Sequence, residues 1–449
     1  MSVVTELGGS GLSTQSDQWI TAARVLRRSG FGATGPEVDS AVAVGDPSVV
    51  VAEILDGNFR KDPGVIATPM PDLEIPHRPH LDAVAERRRY RTKLTEQRNE
   101  LTQWWVRRMV AIDNPISEKL TFLWHNHFAT SAEKVIIPRL LARQNEKLRS
   151  HCLGNFRTLA GAMLSDPAMI VWLDGRENKV GSPNENLSRE FMELFALGHG
   201  NGYSEADVRE GARALTGWAL TKDGGAELLR KRHDDATKTV LDTTGEIDAK
   251  ELCDIVVAEP ASARYIAGRL WQQLASDEPP STSTSERLIE AYGPSYDLKA
   301  LTNAILTDPT FLGSTGTVVS PPLDWLIGTL RALRVELDKP DQIKQAVTVL
   351  ESLGQLPFYP PNVGGWPRGR AWLSSSAANV RLQTANKVVQ DGDLSVVADS
   401  AVADRIDAAG YMIGIGAWSD RTVEALKPLR KHPDALVAAA VNTPEYLTS

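Results

Sequence analysis

Apolar residues return every three or four positions along almost the whole of this 449-residue chain, and that period constrains its fold more than any other feature. Trp19, Ile20, Ala23, Val25 and Leu26 follow the spacing until Gly30-Phe31-Gly32 breaks it. The same reading predicts helices over 81–112, 115–128, 138–149, 156–164, 184–197 and 205–218, and again from 248 to 274 and beyond. Strand signals are scattered. The predicted class is mainly α, a multi-helix globular bundle with a small irregular or β-hairpin insertion near 222–245, where the chain turns polar and rich in Gly and Asp. The Pro-rich stretch 63–79 reads as a surface connector. A flexible N-terminus over 1–18, a helical region over 19–245 and a second over 246–449 with a Gly/Pro/Trp-rich loop at 354–372 describe the organisation, the two regions also being readable as one continuous domain.

Composition narrows the function classes. A hydrophobic fraction of 42% supports a packed core, and a net charge of −8 argues against a nucleic-acid surface. No apolar run reaches the roughly 20 residues that span a bilayer, so no membrane insertion is expected. Two cysteines, Cys152 and Cys253, imply neither a disulfide framework nor a zinc site. With no secretion signal in the polar N-terminal tract, a cytoplasmic location is expected.

Three constellations could carry chemistry. The first is the segment Ser182-Pro183-Asn184-Glu185, read as a capping box that opens a helix closed by Gly198. Leu187, Phe191, Met192, Leu194 and Phe195 fill one side of it, and Glu185, Asn186, Arg189, Glu190 and Glu193 the other. That second face reads either as a solvated stripe of i,i+4 ion pairs or as a polar interior like that of metal-binding bundles, although those use Glu-x-x-His rather than Glu-x-x-Glu. The second is Trp124-His125-Asn126-His127-Phe128. Two histidines at i,i+2 do not share a helix face, but at a helix end they could converge on one ion; the alternative is a pair of core imidazoles bonded to backbone or carboxylate. The third is His233-Asp234 in the polar insertion, either a surface pair or part of a loop folded over a cleft. Arg209 and Arg213, at i,i+4, could face Glu190 and Glu193 as salt-bridge partners. No GxSxG elbow, P-loop, dinucleotide fingerprint or HExxH is present.

Taken in order, Leu26-Arg27-Arg28-Ser29-Gly30-Phe31-Gly32, Trp124-His125-Asn126-His127-Phe128, the helix from Asn184 to Gly198, and Leu215-Thr216-Gly217-Trp218 form a recognisable set. With His233-Asp234, Pro360-Pro361-Asn362-Val363-Gly364-Gly365-Trp366-Pro367 and Trp372-Leu373, it resembles the bacterial family called domain of unknown function 1800. The resemblance covers about residues 22–390. It implies a largely helical protein, often encoded beside a family resembling the alkaline phosphatase and sulfatase superfamily. Many relatives are exported. The family often has His-Pro where this chain has Glu259-Pro260, so a histidine-dependent role at that point does not apply.

Two functional expectations follow. One is a helical binding or assembly protein whose polar centre is architectural and whose 357–372 segment contacts a phosphatase/sulfatase-like partner. The other is a metal-assisted hydrolase or oxidoreductase. There His125, His127, Glu190, Glu193 and His233 would hold a divalent metal, with Glu185, Glu193, Arg189 and Asp234 as candidate catalytic groups and Glu185 as general base.

Overall fold

The computed structural model describes residues 14–80, 83–314 and 318–448. The N-terminal tract expected to be flexible lies outside the described residues up to position 13. Its last residues are helical instead: Asp17–Ser29 forms a helix because the Ser16 side chain accepts the Trp19 N–H at the open end. The expected helices follow, at Val84–Ala111, Ile116–His127, Pro138–His151, Phe156–Leu164 and Glu205–Ala214, with Pro260–Leu274 and others beyond. The 28-residue helix Val84–Ala111 changes character along its length. Its first turns carry exposed arginines, and its last turns bury Trp104, Trp105 and Met109. The Pro-rich connector holds one short helix, Pro63–Ala67, capped by Asp62, and no regular element from 68 to 80.

Strand among the described residues is confined to two antiparallel hairpins, Trp218–Leu220 with Ala226–Leu228 and Lys238–Val240 with Thr243–Gly245. The expected insertion is thus two short hairpins rather than one. Trp218, expected to end a helix, opens the first strand instead. The helix Glu205–Ala214 stops because Gly217 turns the chain at φ +93°, with the His233 backbone 2.9 Å from where a Cβ would sit.

Buried side chains gather in two hydrophobic clusters, each drawing on residues from both sides of position 245. Trp124, Phe128, Phe156 and Phe195 belong to one, and Trp105, Phe122, Phe358 and Trp366 to the other. The helix Ile116–His127 contributes to both, and all of its residues are buried. A helix enclosed on every side must find internal partners for each polar side chain, and that requirement positions the groups described next. Among the described residues, no helix is long and apolar enough to cross a membrane.

Candidate functional site

Consecutive side chains on a helix project about 100° apart, so His125, Asn126 and His127 reach three different backbone groups, two in the 354–372 segment and one in the turn 191–196. His125 Nε2 accepts the Phe358 N–H at 3.2 Å. Asn126 Oδ1 accepts the Trp366 N–H at 2.7 Å, and His127 Nε2–H donates to the Phe195 carbonyl at 2.8 Å. All three side chains therefore cap backbone groups. The two imidazoles carry their protons on opposite nitrogens, His125 on Nδ1 and His127 on Nε2.

The i,i+2 spacing places these rings in different surroundings. His125 packs edge-on to Trp105 and Trp366, whereas His127 packs edge-on to Trp124 and Phe128. Burial pushes His125 down to about 3, and burial with the Arg269 guanidinium nearby pushes His127 down to about 3, so both stay neutral at ordinary pH. The convergence on one ion considered for the pair is not what the structure shows. The helix keeps the rings apart.

The acidic helix also differs from its expected form. Ser182 is no N-cap: it pairs with Lys179 in an isolated bridge, and the Asn184 side chain accepts the Asn186 N–H. The α-helix is only Asn186–Glu190, and it continues as a π-helical turn over Phe191–Ala196. A widened turn leaves carbonyls with unusual directions, and here side chains meet them. Tyr265 Oη–H donates to Leu194 O at 2.7 Å, His127 to Phe195 O, and Asn201 Nδ2–H to Leu197 O at 2.8 Å. His127 is thus one of three side chains that close this helix.

Around that turn, Arg189 joins Glu185 at 2.9 Å and Glu205 at 2.7 Å. Glu193 Oε1 meets His199 Nδ1 at 2.7 Å. Half-burial, and then the Glu193 carboxylate, raise the Glu190 carboxyl above the usual carboxylate range. Arg213, expected opposite Glu190 and Glu193, instead grips Asp234 at 2.7 and 3.2 Å and Glu210 at 2.7 Å. That grip holds the Asp234 carboxyl below its ordinary range. His233 Nδ1–H donates to the Thr216 carbonyl at 2.9 Å, which fixes its tautomer, and its ring lines a cavity of about 450 Å³ with Trp218, Leu228, Asp248 and Cys253. The structure therefore brings Glu185 to Arg189, Glu190 to Glu193, and Asp234 to Arg213, and leaves the histidines dispersed. Among the described residues, no group of three or more His, Cys, Asp or Glu side chains is arranged to hold a metal ion.

Sequence reasoning did not single out Asn126, Tyr265, Arg28, Arg368 or Trp372, although Arg28, Asn126 and Trp372 fall within the strings that carry the resemblance. It also passed over Glu118, fully buried and bonded to Trp105 Nε1 at 2.8 Å and Arg149 at 2.7 Å. In the sequence Glu118 shares a helix face with Thr121 and His125, at i+3 and i+7, and so reads as part of an ordinary polar stripe.

The strings that meet around the Ile116–His127 helix are far apart in the chain, and a single family model, described as a protein of unknown function, spans them all, matching residues 24–448. The chain belongs to the DUF1800 family. No curated protein and no solved structure matches it. In this DUF1800 protein the 354–372 segment is docked inward rather than displayed. Phe358, Trp366 and Trp372 are all buried, so these aromatics of the segment expected to contact a partner pack into the core. Its outward residues include Pro361, Asn362, Pro367 and Arg370, and Leu373 just after it is exposed as well.

Proposed function

We propose that this DUF1800 protein is a helical binding or assembly protein acting with a phosphatase/sulfatase-like partner. The observation that carries this reading is the use of His125, Asn126 and His127 to cap backbone groups in two distant segments, the 354–372 loop and the π turn. A metal-assisted reaction needs imidazole lone pairs free to ligate. Here the His125 lone pair accepts a backbone N–H, and the His127 ring is packed among Trp124, Phe128, Phe156 and Phe195, with no group of three His, Cys, Asp or Glu side chains placed to hold an ion among the described residues. The ion pairs Arg189–Glu185 and Arg213–Asp234 likewise occupy candidate catalytic carboxylates. Partner contact then falls to outward residues of the docked loop, Pro361, Asn362, Pro367 and Arg370 among them, and to Leu373 just after it, rather than to its buried aromatics.

The test is native co-purification of the full chain from its own cells, with mass spectrometry of what elutes. A phosphatase/sulfatase-like protein retained by the wild type and lost with Leu373→Asp supports the reading. A strictly monomeric chain that retains no such protein counts against it. Elemental analysis of the same preparation tests the metal-dependent alternative: stoichiometric metal that disappears with His127→Ala would replace the binding reading.

A further inference from the structure

A second cleft lies where the Ile116–His127 helix meets the segment after Trp366. It is narrow, about 40 Å³, and Lys119, Asn126, Asp277, Asp324, Arg368 and Trp372 are among the side chains lining it. It holds an unusual surplus of donors. Trp372 is 6% exposed and its Nε1–H has no partner; Arg368 Nη1 is likewise buried without one. Close by, Trp366 Nε1, Arg269 Nε and Arg28 Nε are also buried and unpartnered, Trp366 stacking on Phe122 of the cleft wall. Buried donors without acceptors are rare in folded proteins, and two of them lining one opening, Trp372 Nε1–H and Arg368 Nη1–H, point to an absent acceptor.

The charges agree. Asp324 already pairs with Lys119, and Asp277 accepts the Val319 N–H at 3.0 Å. Among the described residues, Arg28, Arg269 and Arg368 make no ion pair, and both Arg28 and Arg368 lie within the field of Asp277. Burial and the neighbouring Arg27 push Arg28 down to about 9, and burial with the nearby Arg269 lowers Arg368. Gly369, at φ +61°, brings its backbone against Asp277, with the Asp277 carboxylate oxygen 3.3 Å from where a Cβ would stand, and so holds the arginine-bearing loop at the cleft mouth.

We propose that this cleft binds a tetrahedral oxyanion group, the phosphate or sulfate of a small ester or of the free ion, with Arg368 and the Trp372 indole N–H as its donors. The volume suits one such group and no more of the ligand, whose remainder would lie outside, over Pro367 and Gly369. The inference goes beyond the binding or assembly reading and holds whether or not the chain has a partner.

Titration calorimetry of the full chain with inorganic phosphate, sulfate and acetate, at constant ionic strength set with chloride, tests it. Saturable binding of phosphate or sulfate is expected, weakened tenfold or more by Arg368→Gln and several-fold by Trp372→Phe, which keeps the ring and removes the donor. Phosphate binding alone or sulfate binding alone would identify the source. Absence of saturable binding to either, binding of acetate only, or phosphate binding unchanged in both variants would overturn the proposal. Should Arg368→Gln fail to fold, Trp372→Phe and the wild-type titration decide.

Discussion

Asn126 Oδ1 accepts the Trp366 N–H at 2.7 Å across 240 positions of sequence, and the residue before Trp366 is shaped to allow it. Gly365 sits at φ +83°, and a Cβ there would stand 2.1 Å from the same Asn126 oxygen. Gly365→Ala therefore meets both backbone strain and a collision, and should lower stability by roughly 3 kcal/mol or more. Asn126→Ala leaves a buried N–H unpaired and should cost about 1–3 kcal/mol. Urea unfolding of the two variants checks both figures. A Gly365→Ala protein as stable as the wild type would mean that the loop does not dock in this way.

Tyr265 and His127 hold neighbouring carbonyls of the π turn, Leu194 and Phe195. Tyr265→Phe and His127→Phe each remove one donor while keeping an aromatic ring, and each should destabilise the chain by about 1–3 kcal/mol. Because both act on one turn, their effects should not add, and a double-mutant cycle should show coupling of at least about 0.5 kcal/mol. Strict additivity would place the two contacts in independent structures.

Acid should loosen the chain through its buried imidazoles. His125 and His127 are held near 3 when folded against an ordinary value of 6.5, so the unfolded state binds more protons between those limits. Their contribution is fully present above pH 6.5 and is lost as pH falls toward 3, roughly tenfold in the folding equilibrium per pH unit for each histidine. His125→Gln keeps an acceptor for Phe358 and removes one titration. Its stability should fall less steeply between pH 6.5 and 4.5 than that of the wild type, as read from unfolding curves at stepped pH.

How much of this was legible beforehand depends on the distance over which each signal acts. The helix Phe156–Leu164 follows from local periodicity and begins where expected. The acidic helix does not, because Ser182 is drawn into a bridge with Lys179 and the π turn is fixed by Tyr265 and His127, which come from other helices. The histidines were visible as polar residues among aromatics. Their partners were not, since Phe358 is 233 positions away from His125. The i,i+2 spacing did contain the decisive fact, that the rings leave opposite sides of a helix, once the helix was known to continue through His127.

Both thiols should be inert in the folded chain. Burial raises Cys152 and Cys253 to about 12, so neither supplies a thiolate near neutrality, even though Cys253 lines the cavity beside His233. An aromatic disulfide reagent should label fewer than one thiol per chain on the timescale at which urea-unfolded protein labels both. Rapid labelling of Cys253 in native protein would show the cavity to be more open than described.

The central claim is that the two imidazoles of the His-Asn-His string are structural caps of opposite tautomer. Nitrogen-15 spectra of imidazole-labelled protein, recorded from pH 7.5 to 4.5 with and without added zinc, test it most directly. The account expects a neutral Nδ1–H ring for His125 and a neutral Nε2–H ring for His127, both holding that state across the range and unmoved by zinc. Titration of both rings near 6.5, or a zinc-induced shift shared by the pair, would contradict it.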